Sequence, residues 1–136
     1  MTLSQYKLLT LDQLISVLSD ETGYFFRVHH REYVDIFVRT LENDSLYLYV
    51  DAAPRREGFY IQINFLRPEQ LASFTDVLRE LYPKISTGTP DRSIWIDLAP
   101  HGDRNIDLER LRAILMLRDV VLLLKRHGLI RNGNNG

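Results

Sequence analysis

Residues 23–65 read GYFFRVHHREYVDIFVRTLENDSLYLYVDAAPRREGFYIQINF, and the parity of that stretch decides the fold. β-Branched and aromatic residues alternate there with polar ones at period two, the pattern of strands that bury one face. Four strands are expected, over 24–29, 32–41, 46–52 and 59–65. Successive side chains of a strand point to opposite faces. Tyr24, Phe26 and Val28, then Val34, Ile36 and Val38, then Leu46, Leu48 and Val50, then Ile61, Ile63 and Phe65 therefore share one side of a sheet, the expected core. The other side gathers Phe25, Arg27 and His29; Tyr33, Asp35, Phe37 and Arg39; Tyr47, Tyr49 and Asp51; and Tyr60, Gln62 and Asn64. Rings mixed with hydrogen-bonding groups are neither a core composition nor an ordinary solvated one.

The connections agree with an up-and-down antiparallel meander. For Val28 and Val34 to share a face, the turn over 29–32 needs an odd-length connection, because a one-residue slip would reverse every side chain. Glu42-Asn43-Asp44-Ser45 makes the second turn, where Asn and Asp tolerate left-handed backbone. Pro54 to Gly58 makes the third, Pro stopping the strand and Gly supplying the permissive angle.

Helices flank the meander. Thr10 and Gln13 have the spacing of a capping box and Leu9 with Leu14 that of a hydrophobic staple, so a helix is expected from about Leu11, burying Leu11, Leu14, Ile15 and Leu18 and leaving through Gly23. Pro68 suits the first position of a second helix, whose face Leu71, Phe74, Leu78 and Leu81 runs on until Pro83. Residues 84–92 read as a loop, 93–98 as a fifth strand with Ile94, Ile96 and Leu98 inward and Trp95 and Asp97 outward, and 100–103 as another loop. The last helix, about 106–127, carries Asn105 as cap, Asp107 and Glu109 in its first turn, Lys125, Arg126 and His127 in its last, and Gly128 as a left-handed stop. Its apolar residues from Ile114 to Leu124 wrap nearly all round, which requires cover on every side, from the core or from a second copy of the chain. The expected class is α+β, a two-layer sandwich in the order α-β-β-β-β-α-β-α: a four-stranded meander plus a fifth strand, with three helices on one face. One domain is expected over 1–130, with 131–136 a flexible tail.

Composition narrows the function classes. At 136 residues, 45% hydrophobic and 26% charged, the chain has the make-up of one soluble domain. Its net charge of −1 counts against a protein that lives on phosphate contacts. With no cysteine, disulfides, thiolate nucleophiles and cysteine-ligated zinc are excluded. The apolar run 113–124 is too short for a span and contains Arg118 and Asp119, and residues 1–9 lack a secretory signal, so a cytoplasmic location without membrane contact is expected.

No nucleophile elbow, phosphate loop, dinucleotide fingerprint or zinc spacing occurs, so no catalytic residue, metal or cofactor is expected and the reading leans away from an enzyme. The outward residues Arg27, Tyr33, Phe37, Arg39, Tyr47, Tyr49, Tyr60, Gln62 and Trp95 are the expected binding surface. Tyrosine offers apolar area with a polar handle, which suits contact with another protein or with a second copy of this chain. Stacking of single-stranded bases on the same rings is the alternative, disfavoured by the charge. A small hydrolase centred on His29 or His101 is a further alternative; adjacent His29 and His30 point opposite ways on a strand, and Asp97, His101 and Asp103 form the other possible cluster. In the order of its elements the chain resembles the small α+β chaperones of type III secretion, with one more strand in the meander. That resemblance implies a dimeric, non-catalytic binder, an adaptor or chaperone-like module.

Overall fold

Alternation at period two has produced a single antiparallel sheet with one dry face and one open face. The structure, a computed structural model, describes residues 1–29, 33–51, 59–88, 92–98 and 106–133. Its elements are α1 (Leu3–Lys7), α2 (Leu11–Thr22), β1 (Arg27–His29), β2 (Tyr33–Arg39), β3 (Ser45–Asp51), β4 (Phe59–Asn64), α3 (Pro68–Leu78), β5 (Ile85–Gly88), β6 (Ser93–Leu98) and α4 (Ile106–Arg126). The strands lie in the order β1-β2-β3-β4-β6-β5, every neighbouring pair antiparallel, which makes this an open α+β sheet. No helix among the described residues is long and apolar enough to cross a membrane.

The dry face is the one that parity assigns. Val34, Ile36, Val38, Leu46, Leu48, Val50, Ile61, Ile63, Ile94 and Ile96 are sealed from solvent beneath the helices. α4 packs on β3 and β4 and also touches α1, α2 and α3, so the chain itself covers most of the apolar surface of that helix. Val120, Val121, Leu123 and Leu124 are buried and only Leu122 reaches solvent among its aliphatics from 120 to 124. The apolar wrapping that called for cover is thus explained without a second copy over α4.

Local signals hold where expected. Thr10 caps α2 in a reciprocal box with Gln13, and Gly23 leaves the helix at φ 78°. Pairing of His29 with Tyr33 leaves three residues between them, an odd connection. Asn43 takes φ 70° in the second turn, where Thr40 N donates to Asp44 O at 2.9 Å. The third turn, Asn105 and the loop 100–103 lie outside the described residues.

Five expectations are corrected. The sheet has six strands rather than five, because β5 occupies part of the segment read as a loop over 84–92. Only Ile85 of its four residues is apolar; β6 supplies the pairing, with Ile85 opposite Ile96 and Ser86 opposite Trp95. Among the described residues there are four helices rather than three, since Thr2 and Gln5 form a second capping box that starts α1, and Tyr6 alone of its residues is buried. α3 ends at Leu78, a turn before Pro83, and Leu81 is exposed instead of inward. Phe65 turns out of the core: at φ 72° it leaves the strand parity, stands 65% exposed, and Leu66 is buried in its stead. Finally, residues 131–133 are held, not frayed. Arg131 N donates to Arg39 O at 2.8 Å, Tyr24 Oη donates to Arg131 O at 2.7 Å, and Ile130 bridges Thr40.

Candidate functional site: the aromatic sheet face

Opposite the helices, the register sets the outward side chains in three rows across the central strands. The middle row runs Arg27, Asp35, Tyr49, Gln62, Trp95 and Ser86 from β1 to β5. On one side of it lie Tyr33, Tyr60 and Asp97, and on the other Phe37, Tyr47 and Asn64. No described helix is packed on this side.

The rings form one connected array. Phe37 meets Tyr47 at 5.0 Å between centroids, Tyr47 meets Tyr49 at 5.6 Å, and Tyr49 meets Tyr33 edge-on at 5.7 Å and Tyr60 edge-on at 6.1 Å. Tyr60 then stacks on Trp95 at 5.1 Å. These separations lie in the attractive range for aromatic pairs, each worth about 0.5–1.5 kcal/mol beyond area burial. Part of the array therefore stabilises the sheet in its own right.

Polar atoms between the rings are satisfied pairwise. Arg27 Nε donates to Asp35 Oδ1 at 2.8 Å while its guanidinium lies 5.3 Å from the Phe37 ring centroid. Tyr47 Oη donates to the other carboxylate oxygen, Oδ2, at 2.7 Å. Tyr49 Oη donates to Gln62 Oε1, Gln62 Nε2 to Asn64 Oδ1 at 2.9 Å, and Trp95 Nε1 to Ser93 Oγ at 3.0 Å. Burial, and then the bond to Asp35, push the Tyr47 hydroxyl up to about 12. The Tyr49 hydroxyl is raised as well, by burial first and then by its bond with the Tyr60 hydroxyl. Both stay neutral donors at any physiological pH.

Eight of the nine expected binding residues, Arg27, Tyr33, Phe37, Tyr47, Tyr49, Tyr60, Gln62 and Trp95, come together here. Arg39 does not join the array. It sits at the end of β2, where its carbonyl accepts from Arg131. Gln62 is only 8% exposed, so it is the floor of the surface rather than a contact. Asp35 is absent from the expected set. Parity placed it outward, but the clamp that buries it to 1% joins residues 8 and 12 positions away, which no local pattern reveals. Phe25, 68% exposed just before β1, and Phe65 at the end of β4 add apolar surface at the Phe37 end. Of the histidine proposals, His30, His101 and Asp103 lie outside the described residues. Among the described residues no three His, Asp or Glu side chains are grouped to hold a metal ion. Compared with known proteins, the chain matches no family model, no curated protein and no solved structure, so what the face does has to be argued from its own geometry.

Proposed function

We propose that the chain is a non-catalytic protein-binding module, adaptor or chaperone-like in kind and cytoplasmic, that holds a polypeptide against its aromatic sheet face. The observation that carries this reading is the connected array from Phe37 to Trp95 on a side that no described helix covers. Exposed Phe37, at 44%, gives it an apolar knob, and the hydrogen-bonded tyrosines hold their rings in place before any partner arrives. Rings fixed in advance lose little rotamer freedom on contact, which favours affinity.

Phosphate-led binding is the weaker reading. Of the two arginines at outward strand positions among the described residues, Arg27 is already engaged by Asp35 and Phe37, and Arg39 sits at the very end of β2. A single-strand binder would rely on a basic track beside its stacking rings.

The test is retention of a partner from native lysate on the immobilised chain, compared with Phe37→Ser/Tyr60→Ser. Neither side chain hydrogen-bonds Asp35, so the variant keeps the clamp; it gives up three ring contacts, about 1.5–4.5 kcal/mol in all, so its fold is checked by circular dichroism before the assay. Retention should vanish in the variant and change little with salt. Undiminished retention, or retention that collapses steeply with salt, would count against a protein contact here.

A further inference from the structure

We infer that the polypeptide seated on the aromatic face is a second copy of this chain, packed sheet on sheet about a two-fold axis that runs along the strands between β3 and β4. The inference rests on the reading of that face as a protein contact, and adds who the partner is and how it sits.

Large and small residues follow one another in a definite order along the rows. Across β2, β3, β4 and β6 the first row holds Tyr33, Tyr60 and Asp97, and the second is Asp35, Tyr49, Gln62, Trp95. The third is Phe37, Tyr47, Asn64 and, next in register, Ser93. Read backwards, every row exchanges rings for small polar residues. A two-fold axis along the strands performs that reversal, because it lays β2 over β6 and β3 over β4 while keeping each row at its own level. Tyr33 then faces Asp97, Trp95 faces Asp35, Tyr49 faces Gln62, Phe37 faces Ser93 and Tyr47 faces Asn64.

Exposure varies along the rows too. Asp35, Gln62 and Ser93 lie low, beneath the side chains of Arg27, Tyr47, Tyr49 and Trp95, whereas Phe37 is exposed. Facing sheets pack about 10 Å apart by interdigitating side chains, within about 30° of aligned, so large residues set over small ones are what the contact needs. In these rows the axis brings no two like charges together. The other in-plane two-fold, perpendicular to the strands, would lay each strand on itself, setting Asp35 on Asp35, Tyr49 on Tyr49 and Trp95 on Trp95.

Area is sufficient. Six strands about 4.8 Å apart and three rows about 6.7 Å apart cover about 600 Å² per copy, or roughly 1,200 Å² in all. That is the lower end of specific, stable interfaces. An isologous contact of this kind also closes, giving a dimer and no larger assembly.

The full chain should sediment as a dimer at concentrations on the order of 100 μM, where a micromolar contact is saturated. Because it has no cysteine of its own, Tyr33→Cys/Asp97→Cys introduces the only thiols. A short bismaleimide should link two copies of this double variant covalently, the facing sheets lying too far apart for a direct disulfide. Either single variant should stay unlinked, since its two thiols would lie about three strand spacings, or 14 Å, apart across the face. Tyr49→Arg, with its fold checked by circular dichroism, should weaken dimerisation at least tenfold. A monomer at that concentration would overturn the second copy while leaving the protein-contact reading to its own retention assay. A dimer that neither crosslinks through 33 and 97 nor loosens with Tyr49→Arg would overturn the face-to-face arrangement.

Discussion

Arg27 and Asp35 face each other across β1 and β2, their Nε and Oδ1 atoms 2.8 Å apart, with the carboxylate sealed from water and the guanidinium half in it. Asp35 is a buried carboxylate whose side-chain partners among the described residues are Arg27 and Tyr47. Removing one partner leaves a desolvated charge short of a hydrogen bond, at a cost of about 1–3 kcal/mol. Arg27→Ala should lower stability by about that amount, and Arg27→Lys should recover part of it by restoring the charge without the planar fork. In a urea double-mutant cycle with Tyr47→Phe the two losses should couple by more than about 0.5 kcal/mol, as expected for residues on one carboxylate. Strict additivity would show that Asp35 does not need both.

Gly23 carries two constraints, and they can be separated. At φ 78° any side chain there is strained by about 1–2 kcal/mol. A Cβ would also lie 2.6 Å from the carbonyl oxygen of Asn132. Gly128 has the first constraint alone: φ is 70° and nothing lies within 4 Å of its virtual Cβ. Gly23→Ala should therefore destabilise more than Gly128→Ala, by roughly another 1–3 kcal/mol as for an overpacked site. Thermal melts of the pair would read the difference. Equal losses would mean that the segment after Ile130 is not docked in solution.

Those two glycines show where the sequence stops being legible. The left-handed exits are local, so Gly23 and Gly128 announce them. The docking of Asn132 and Gly133 on Gly23 joins residues about a hundred positions apart, and an Asn-Gly-rich end looks like a tail. β5 escaped for a related reason, since Ile-Ser-Thr-Gly has one apolar residue and becomes a strand only because β6 offers an edge. Parity, by contrast, is a repeated signal. It placed the aliphatic rows correctly on β2, β3, β4 and β6, and with them the open face, failing at Phe65, where a positive φ breaks the alternation it assumes.

Alkaline titration should reveal how much of the fold leans on neutral tyrosine. Burial raises the hydroxyls of Tyr6, Tyr24, Tyr47, Tyr49 and Tyr82, five of the seven tyrosines, with Tyr47 and Tyr82 each at about 12. In the unfolded chain they would ionise near pH 10. A folded pKa above the unfolded one means stability that is complete below about pH 10 and lost as pH rises through about 12. Urea midpoints should hold steady up to about pH 9 and fall steeply beyond pH 10, less so in Tyr47→Phe. Ultraviolet titration should find most tyrosines still protonated until the chain unfolds. Ionisation of all seven near pH 10 with the fold intact would refute this.

Phe65 is a costly choice on two counts, a non-glycine residue at φ 72° and a phenyl ring left 65% in water. Bulky residues at positive φ are uncommon, and where they persist something other than stability tends to require them. The position follows Asn64, which pairs with Tyr47, so the ring stands at the end of the sheet that also shows Phe25 and Phe37. Glycine at this position would relieve the strain at the cost of a looser unfolded chain, and exposed phenyl area contributes little to folding. Phe65→Gly should thus leave the chain as stable as before or more stable by up to about 1 kcal/mol. If the Phe37 end of the face holds a partner, the same change should weaken that contact several-fold, read by sedimentation or by retention on the immobilised chain. Loss of stability on making Phe65→Gly would show instead that the ring supports the fold, and would remove it from the contact surface.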